Sequence, residues 1–183
     1  MQSEEFQNLF ATEFVEPLIE QGFRKIGRGS SIHHVDGTRE LLILRQGGRL
    51  ARPGFARSVI CFRHTFLRPI NSEDPQKTPI YVEDCPRKLI FDDFGGWFSP
   101  KLIYRPENSG SWRIHDTKYS NVDARIVSGR LRKLRAQVIK RILPWVRSLT
   151  EAGELSQIKR FGENAWCEQR WIEDYEAFLS TQT

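Results

Sequence analysis

Residues 31–44 read SIHHVDGTRELLIL and carry the strongest short-range structural signal in the chain. Asp36 and Gly37 separate two runs of strand-forming residues, 31–35 and 38–44. An Asp-Gly pair in that setting favours a two-residue hairpin turn, because the turn requires the positive backbone φ that glycine adopts freely. The stretch therefore predicts two antiparallel strands at the centre of the fold.

The residues after this hairpin predict more strands. Residues 57–67 place apolar and polar side chains on alternate faces, which suits an antiparallel strand with one side packed on a core. Short apolar runs at 89–91, 102–104 and 112–115 predict further strands, and segment 69–86, rich in Pro, Asp, Glu and Ser, predicts a loop.

Helical periodicity flanks the strand region on both sides. Apolar residues recur every three or four positions over 3–21, where Gly22 is expected to end the helix, and over about 121–149, 154–160 and 164–179. This order predicts an α+β fold: an N-terminal helix, an antiparallel sheet of about five to six strands, and C-terminal helices packed on one face.

Length and composition indicate an ordinary globular protein with a single domain over residues 1–183. Three widely spaced cysteines without a CxxC motif favour a reducing compartment. The first residues are polar and acidic, unlike a signal peptide, and no stretch approaches the roughly 18 apolar residues of a membrane span. We therefore expect a cytoplasmic protein without membrane contact.

Positive charge is concentrated in one segment. Residues 124–150 contain eight Lys or Arg and no Asp or Glu, whereas residues 151–183 contain three basic and seven acidic residues. On a helix, the apolar residues of 124–150 form one stripe and most of the charges lie opposite. The stripe is Val127, Leu131, Leu134, Val138, Ile142, Trp145 and Leu149.

Three interpretations of this basic helix remain open. In the first, the charges form a solvated face and pair in part with acidic residues of the last helix. In the second they bind an acidic protein, and in the third they bind nucleic acid. The acidic residues are Glu163, Glu168, Glu173, Asp174 and Glu176. The candidate binding residues on the basic helix are Arg130, Lys133, Lys140 and Arg141.

A second, looser series of arginines lies in the strand region and alternates with phenylalanines. Mixtures of arginine and aromatic residues can hold phosphates and stack on bases. The period of a strand predicts that Arg57 and Arg63 share one face of the sheet, and we include both as candidate binding residues. The full series is Arg45, Arg49, Arg52, Arg57, Arg63 and Arg68, with Phe55, Phe62 and Phe66.

Signals for catalysis or metal binding are weak. The four histidines (His33, His34, His64 and His115) all fall on predicted strands, and His64 is positioned to approach one of the first pair, but no HxH or HExxH spacing occurs. Asp92 and Asp93 are adjacent, so on a strand they point in opposite directions. The glycine-rich residues 27–31 run from a helix to a strand, the reverse of a phosphate loop. We expect no catalytic residue, no metal and no cofactor.

Two stretches carry a family resemblance. They are the Phe-rich first helix ending in residues 17–27, PLIEQGFRKIG, and residues 138–146, VIKRILPWV, followed by Gly153-Glu154-Leu155. Together they resemble a bacterial domain-of-unknown-function family, the one numbered forty-three-oh-four. The resemblance implies a leading helix, a sheet and a late helix with Leu-Pro-Trp, and it suggests an immunity-type or defence-associated binding role. It implies no activity.

These observations predict a non-enzymatic protein-binding module of bacterial type, with a protein partner. The expected working surface is the open face of the sheet or the loop at 69–86, because binding residues tend to lie on loops held by a scaffold. Nucleic-acid binding through the basic helix is the first alternative, and a His-dependent enzyme is the second.

Overall fold

The computed structural model describes residues 1–27, 30–46, 53–79, 81–91, 98–102, 115–162 and 166–182. It confirms the α+β class, with helices before and after an antiparallel sheet. The α-helices are α1 Ser3–Phe10, α2 Glu16–Ile19, α3 Ala124–Gln137, α4 Leu143–Ser148, α5 Glu151–Gly162 and α6 Trp166–Ser180. The strands are β1 Arg24–Ile26, β2 Ser31–Asp36, β3 Arg39–Gln46, β4 Phe55–His64, β5 Arg87–Phe91, β6 Phe98–Leu102 and β7 His115–Lys118.

The first helical segment, residues 3–19, consists of α1, a π-helical turn at Ala11–Val15 and α2. It ends as the sequence predicts, because Gly22 adopts a φ of +92°. The Gly22 N–H donates to the Ile19 carbonyl and the Phe23 N–H donates to the Leu18 carbonyl, which is the paired bonding of a glycine-terminated helix. Phe23 is then buried against the core.

A second π-helical turn, Val138–Ile142, joins α3 to α4. Each of the two π turns ends two residues before a proline, Pro17 in the first and Pro144 in the second. Proline has no N–H to donate to the preceding turn, and a wider turn is a common way for a helix to accommodate such a break. After the second π turn, Val146 is fully buried, and the expected stripe residues Trp145 and Leu149 are partly buried.

The predicted hairpin forms the centre of the sheet. β2 and β3 pair antiparallel with Asp36 opposite Arg39, and Gly37 in the turn has a φ of +61°. The described strands follow the order β1 to β6, with β7 paired to β4 beside β5. The three-residue strand β1 is absent from the prediction, so residues 27–31 lead from one strand to the next rather than from helix to strand.

Helices cover one face of the sheet. Alternate residues of β4, among them Ile60 and Phe62, are buried beneath the first helical segment and beneath α3 and α4. The stripe predicted for the basic helix supplies the other half of this core through Val127, Leu131 and Val138. We call this side of the sheet the helical face. Because the apolar stripe of α3 packs against it, the basic residues of α3 point away from the sheet.

The opposite side, which we call the loop face, is not open as expected. Leu42, Leu44, Val59 and Cys61 are buried there against Val82 and Cys85, which belong to the segment 69–86. The short 3-10 turn Val82–Asp84 is held by Asp84, whose carboxylate accepts hydrogen bonds from the N–H groups of Ile70 and Tyr81. The loop therefore covers the sheet face, because the apolar residues on that face need a partner.

Helices α5 and α6 pack on each other and on the end of β4. Their apolar cluster consists of Leu67, Ile158, Trp171 and Tyr175. Polar contacts attach them to the sheet: Thr38 Oγ1 donates to Glu151 Oε1 at 2.6 Å, and Arg87 binds both carboxylate oxygens of Glu154 at 2.5 and 2.9 Å. Arg87 and Glu154 are both largely shielded from solvent, which strengthens the paired contact.

Candidate functional site

The outer face of α3 and the π turn after it carries a row of exposed cations. Asp123 begins the helix by accepting a hydrogen bond from the Arg125 N–H at 2.7 Å, and the buried stripe then sets which side faces the sheet. Lys133, Lys140 and Arg141 are exposed and Arg130 is half-buried. We call these four residues the basic ridge, and they are the four candidates that the sequence indicates on this helix.

Most of the ridge charge has no partner within the described part of the chain. The side chains of Arg130, Lys133 and Lys140 make no hydrogen bond or ion pair with any described residue. Arg141 donates to Gln137 Oε1 at 3.4 Å, a neutral partner one turn earlier. Arg130, Lys133 and Lys140 therefore project three positive charges within about three helical turns, without an ion pair to the part of the chain that the structure describes.

Three acidic residues of the last helix pair with cations outside the basic ridge, so these three do not neutralise it. Asp174 accepts from Arg68 Nε at 2.5 Å, Glu173 lies 3.2 Å from Arg68, and Glu176 accepts from Lys159 at 2.6 Å. Glu168 is buried, and Glu163 lies outside the described residues. The main packing partner of helix α6 is α5.

The acidic neighbour of α3 is instead the first helical segment. Glu13 accepts from Ser128 Oγ at 2.7 Å, its backbone carbonyl accepts from Arg135 at 2.8 Å, and its carboxylate lies 3.7 Å from Arg132. Residues 3–21 contain five Glu and no Lys or Arg. That imbalance is readable in the sequence, but the contact with α3 depends on how the two helices pack on the sheet.

Arg63 is not a surface binding residue. Its side chain is 3% exposed, and its Nε donates to Glu40 Oε2 at 2.7 Å while its other nitrogens donate to the carbonyls of Leu67 and Pro75. His33 also donates to Glu40, at 2.7 Å. Burial raises the pKa of Glu40, but the His33 and Arg63 contacts outweigh it and hold this pKa below its usual range. Arg63 therefore fastens the loop over the loop face.

The rest of the arginine series is also used internally where the structure describes it. Arg45 lies over the rings of Phe6 and Phe10, 5.6 and 4.7 Å from their centroids, and Arg68 is held by Asp174, Glu173 and Glu73. The Arg57 side chain, Arg49 and Arg52 lie outside the described residues. The described part of this series therefore gives no support to a second anion-binding patch.

The three histidines whose side chains the structure describes, His33, His34 and His64, do not come together. His33 lies on the loop face with Glu40, whereas His64 is fully buried on the helical face and His34 packs on Phe23. His34 and His64 share a face, but β3 separates their strands, so their backbones are about 10 Å apart. Among the described residues, no group of three His, Cys, Asp or Glu is placed to hold a metal ion.

His64 is the most perturbed of the described histidines. Its Nδ1 hydrogen-bonds to the Tyr175 hydroxyl at 2.7 Å, and its Nε2 lies 3.8 Å from Glu151 without a hydrogen-bond partner. Burial lowers the pKa of His64 to about 4, although Glu151 opposes that shift. The ring is neutral at pH 7 and shielded from solvent, so it serves as a packing and hydrogen-bonding group between the sheet and α6.

Other predicted features fall outside the described residues. They are Asp92, Asp93, the glycines that follow them, Trp112 and the side chain of His115.

Comparisons with protein-family models, with curated proteins and with solved structures found no match to this chain. The family resemblance described above therefore remains an expectation. Among the described helices, none is both long enough and apolar enough to span a membrane.

Proposed function

We propose that this chain is a protein-binding module that uses the basic ridge to bind an acidic protein surface. The observation that carries the proposal is the contrast in how the arginines and lysines are used. Arg63, Arg68 and Arg87 are held by carboxylates within the fold, whereas three of the four ridge cations are left without a described partner. Opposed charge across an interface steers association and selects partners of complementary sign.

The expected strength follows from the exposure of these residues. A single exposed ion pair contributes about 0–1 kcal/mol, so the ridge acts through several pairs made together. Such binding weakens as salt is added, because the Debye length falls from about 30 Å at 0.01 M to 8 Å at physiological ionic strength. The proposal therefore predicts a moderate affinity with a clear dependence on ionic strength.

Two observations favour a protein over a nucleic acid. Phe62 is fully buried and Phe66 stacks on Phe178 at 4.1 Å, so neither offers a ring to a base. Arg63 is buried in its own ion pair, so it is not available to a phosphate.

The family resemblance suggests what kind of acidic protein this is. It implies an immunity-type or defence-associated setting, in which a small protein binds a partner without catalysis. We include that role in the proposal as the biological context of the ridge.

The test compares two anionic probes and two matched variants. Labelled poly-L-glutamate and a 20-base-pair DNA duplex are titrated with the wild type, with the ridge variant (Arg130→Glu, Lys133→Glu, Lys140→Glu and Arg141→Glu) and with a control variant. The control reverses four exposed cations elsewhere, Arg24, Lys25, Lys77 and Lys118, and has the same net charge.

We expect the ridge variant to bind poly-L-glutamate at least about tenfold more weakly than the control, since it loses the local cluster as well as the net charge. Equal losses in the two variants would show that only net charge matters and would contradict the proposal. Tighter binding of the duplex than of poly-L-glutamate by the wild type would favour the nucleic-acid alternative instead.

A further inference from the structure

The ridge has an acidic counterpart on the same surface. Glu4, Glu5, Glu16 and Glu20 are exposed, and their carboxylates make no hydrogen bond or ion pair with any described residue. We call these four residues the acidic stripe. They lie on or just after the first helical segment, whose inner side is buried in the same core as α3. The two helices therefore form one layer, with one acidic and one basic outer face.

The two helices run in the same direction. Near the start of α1, the Phe6 ring stacks on Tyr119 at 4.7 Å, and further along, Glu13 contacts Ser128, Arg132 and Arg135. Residue numbers increase together along both helices, with an offset of about 118. By this correspondence, Glu16 lies nearly level with Lys133, and Glu20 nearly level with Lys140.

This arrangement is complementary to itself. Consider a twofold axis that is parallel to the two helices, laterally midway between them and outside the outer surface of their layer. Rotation about this axis keeps every residue at its own level and exchanges left and right. Glu16 and Glu20 of one copy then face Lys133 and Lys140 of the other, and the reverse contact forms at the same time, whereas Glu4 and Glu5 lie before the level at which the ridge begins. An isologous interface of this kind needs no second protein to neutralise either row.

We propose that the partner of this surface is a second copy of the chain, in a twofold dimer in which Glu16 and Glu20 of each copy face Lys133 and Lys140 of the other. The inference rests on the proposed function, since it names the acidic protein that the ridge binds. Two of the four large apolar side chains that are exposed in the described residues, Ile19 and Ile126, lie on these same two helical segments. They supply apolar contact within an interface that is mainly ionic.

The dimer is expected to be weak and sensitive to salt. Its contacts are exposed ion pairs, and pairs of that kind are screened when the Debye length becomes shorter than the spacing between rows. We expect the dissociation constant to rise at least about tenfold between 50 and 500 mM NaCl. Sedimentation equilibrium over a range of protein concentrations up to about 500 µM measures that constant directly.

A charge exchange gives the decisive experiment. The acidic-stripe variant carries Glu4→Lys, Glu5→Lys, Glu16→Lys and Glu20→Lys, and the ridge variant is the fourfold Glu substitution described above. Each variant alone presents rows of one sign and is expected to stay monomeric at 50 mM NaCl. An equimolar mixture is expected to form the heterodimer, because opposite rows then meet in both halves of the interface.

A mixture that stays monomeric, or a wild type that is monomeric at 500 µM and 50 mM NaCl, would overturn the dimer. The smaller variant Glu16→Lys/Glu20→Lys repeats the exchange if the fourfold variant does not fold. Poly-L-glutamate separates this failure from failure of the proposed function, since the control variant keeps its ridge and has the same net charge as the ridge variant. If the control variant binds poly-L-glutamate more tightly than the ridge variant does while the mixture stays monomeric, the ridge binds acidic proteins but not a second copy.

Discussion

The same residue type has opposite roles in this protein, depending on burial. Arg63 and the ridge residue Arg130 are both candidates by sequence, but Arg63 has three hydrogen-bonding partners inside the fold and Arg130 has none among the described residues. A buried guanidinium must be paired to offset the loss of its hydration, whereas a half-buried one such as that of Arg130 keeps part of its hydration and can bind a partner. Burial therefore decides which basic residues are available for function.

His64 makes the stability of the fold depend on pH. Its pKa is about 4 in the fold and 6.5 ordinarily, so between these values the unfolded chain binds more protons. The free energy of unfolding therefore falls as the pH is lowered from 6.5 to 4, by at most about 3 kcal/mol. Urea unfolding at several pH values should show that His64→Gln loses this part of the slope. Parallel pH profiles for the two proteins would contradict the assignment.

Gly54 is required by both its backbone angle and its neighbour. Its φ is +77°, and an added Cβ would lie 2.1 Å from Ser120 Oγ. We expect Gly54→Ala to lower the free energy of unfolding by about 3 kcal/mol or more, from strain and overlap together. Gly37→Ala is the matched control, since its φ of +61° is strained but the site is open, and about 1–2 kcal/mol is expected. If chemical denaturation showed equal losses of stability in the two variants, the Ser120 side chain would be able to move away from the added Cβ at little cost.

At the scale of elements, local patterns predict the strands and helices well. The Asp36-Gly37 turn, the Gly22 stop and the stripe from Val127 to Ile142 all depend on residues near one another in sequence, and all appear in the structure. Which helix neighbours the basic one is not a local property. The acidic composition of α6 pointed to that helix, but α6 is held by α5 and by Arg68.

The candidate site could be predicted only in part, because some of its contacts join residues that are distant in sequence. The ridge follows from the helical period, whereas the burial of Arg63 depends on Glu40 across the sheet and on the loop at 67–75. The acidic stripe consists of four of the five glutamates in residues 3–21, a range without a basic residue, yet its place in the same layer as α3 follows from packing on a shared sheet. Charge patterns along a chain do not show which rows become neighbours.

The attachment of α6 to the sheet can be tested through Tyr175. Its hydroxyl hydrogen-bonds to the buried His64 ring, and Tyr175→Phe would leave His64 Nδ1 without that partner. We expect a loss of about 1–3 kcal/mol in the free energy of unfolding and faster amide hydrogen exchange in α6. The control Tyr81→Phe, at a side chain that is 54% exposed, should change stability by less than about 0.5 kcal/mol. Unchanged exchange in α6 would contradict this role.

At the scale of the whole molecule, the net charge of +5 is the sum of unevenly distributed charges: the acidic stripe, the basic ridge and the acidic last helix. The acidic stripe and the basic ridge share one helical layer, and the carboxylates of α6 form local pairs with Arg68 and Lys159. A ligand at the ridge therefore experiences the first helical segment, at a helix spacing of about 10 Å, more than it experiences α6. The distribution of charge determines binding here, and the total does not.

Two variants that remove the same number of negative charges test this difference. Glu16→Gln/Glu20→Gln removes carboxylates beside the ridge, so we expect poly-L-glutamate to bind about two- to threefold more tightly at 20 mM salt. Glu173→Gln/Glu176→Gln removes two exposed carboxylates of α6 and should leave the affinity nearly unchanged. Fluorescence anisotropy at low protein concentration measures both. The electrostatic effect of a carboxylate falls off with distance, so the nearer carboxylates should weaken binding at the ridge more than remote ones do. An equal or larger gain in affinity for the α6 variant would therefore contradict this prediction, because it would mean that the carboxylates of α6 weaken binding at the ridge at least as much as Glu16 and Glu20 do.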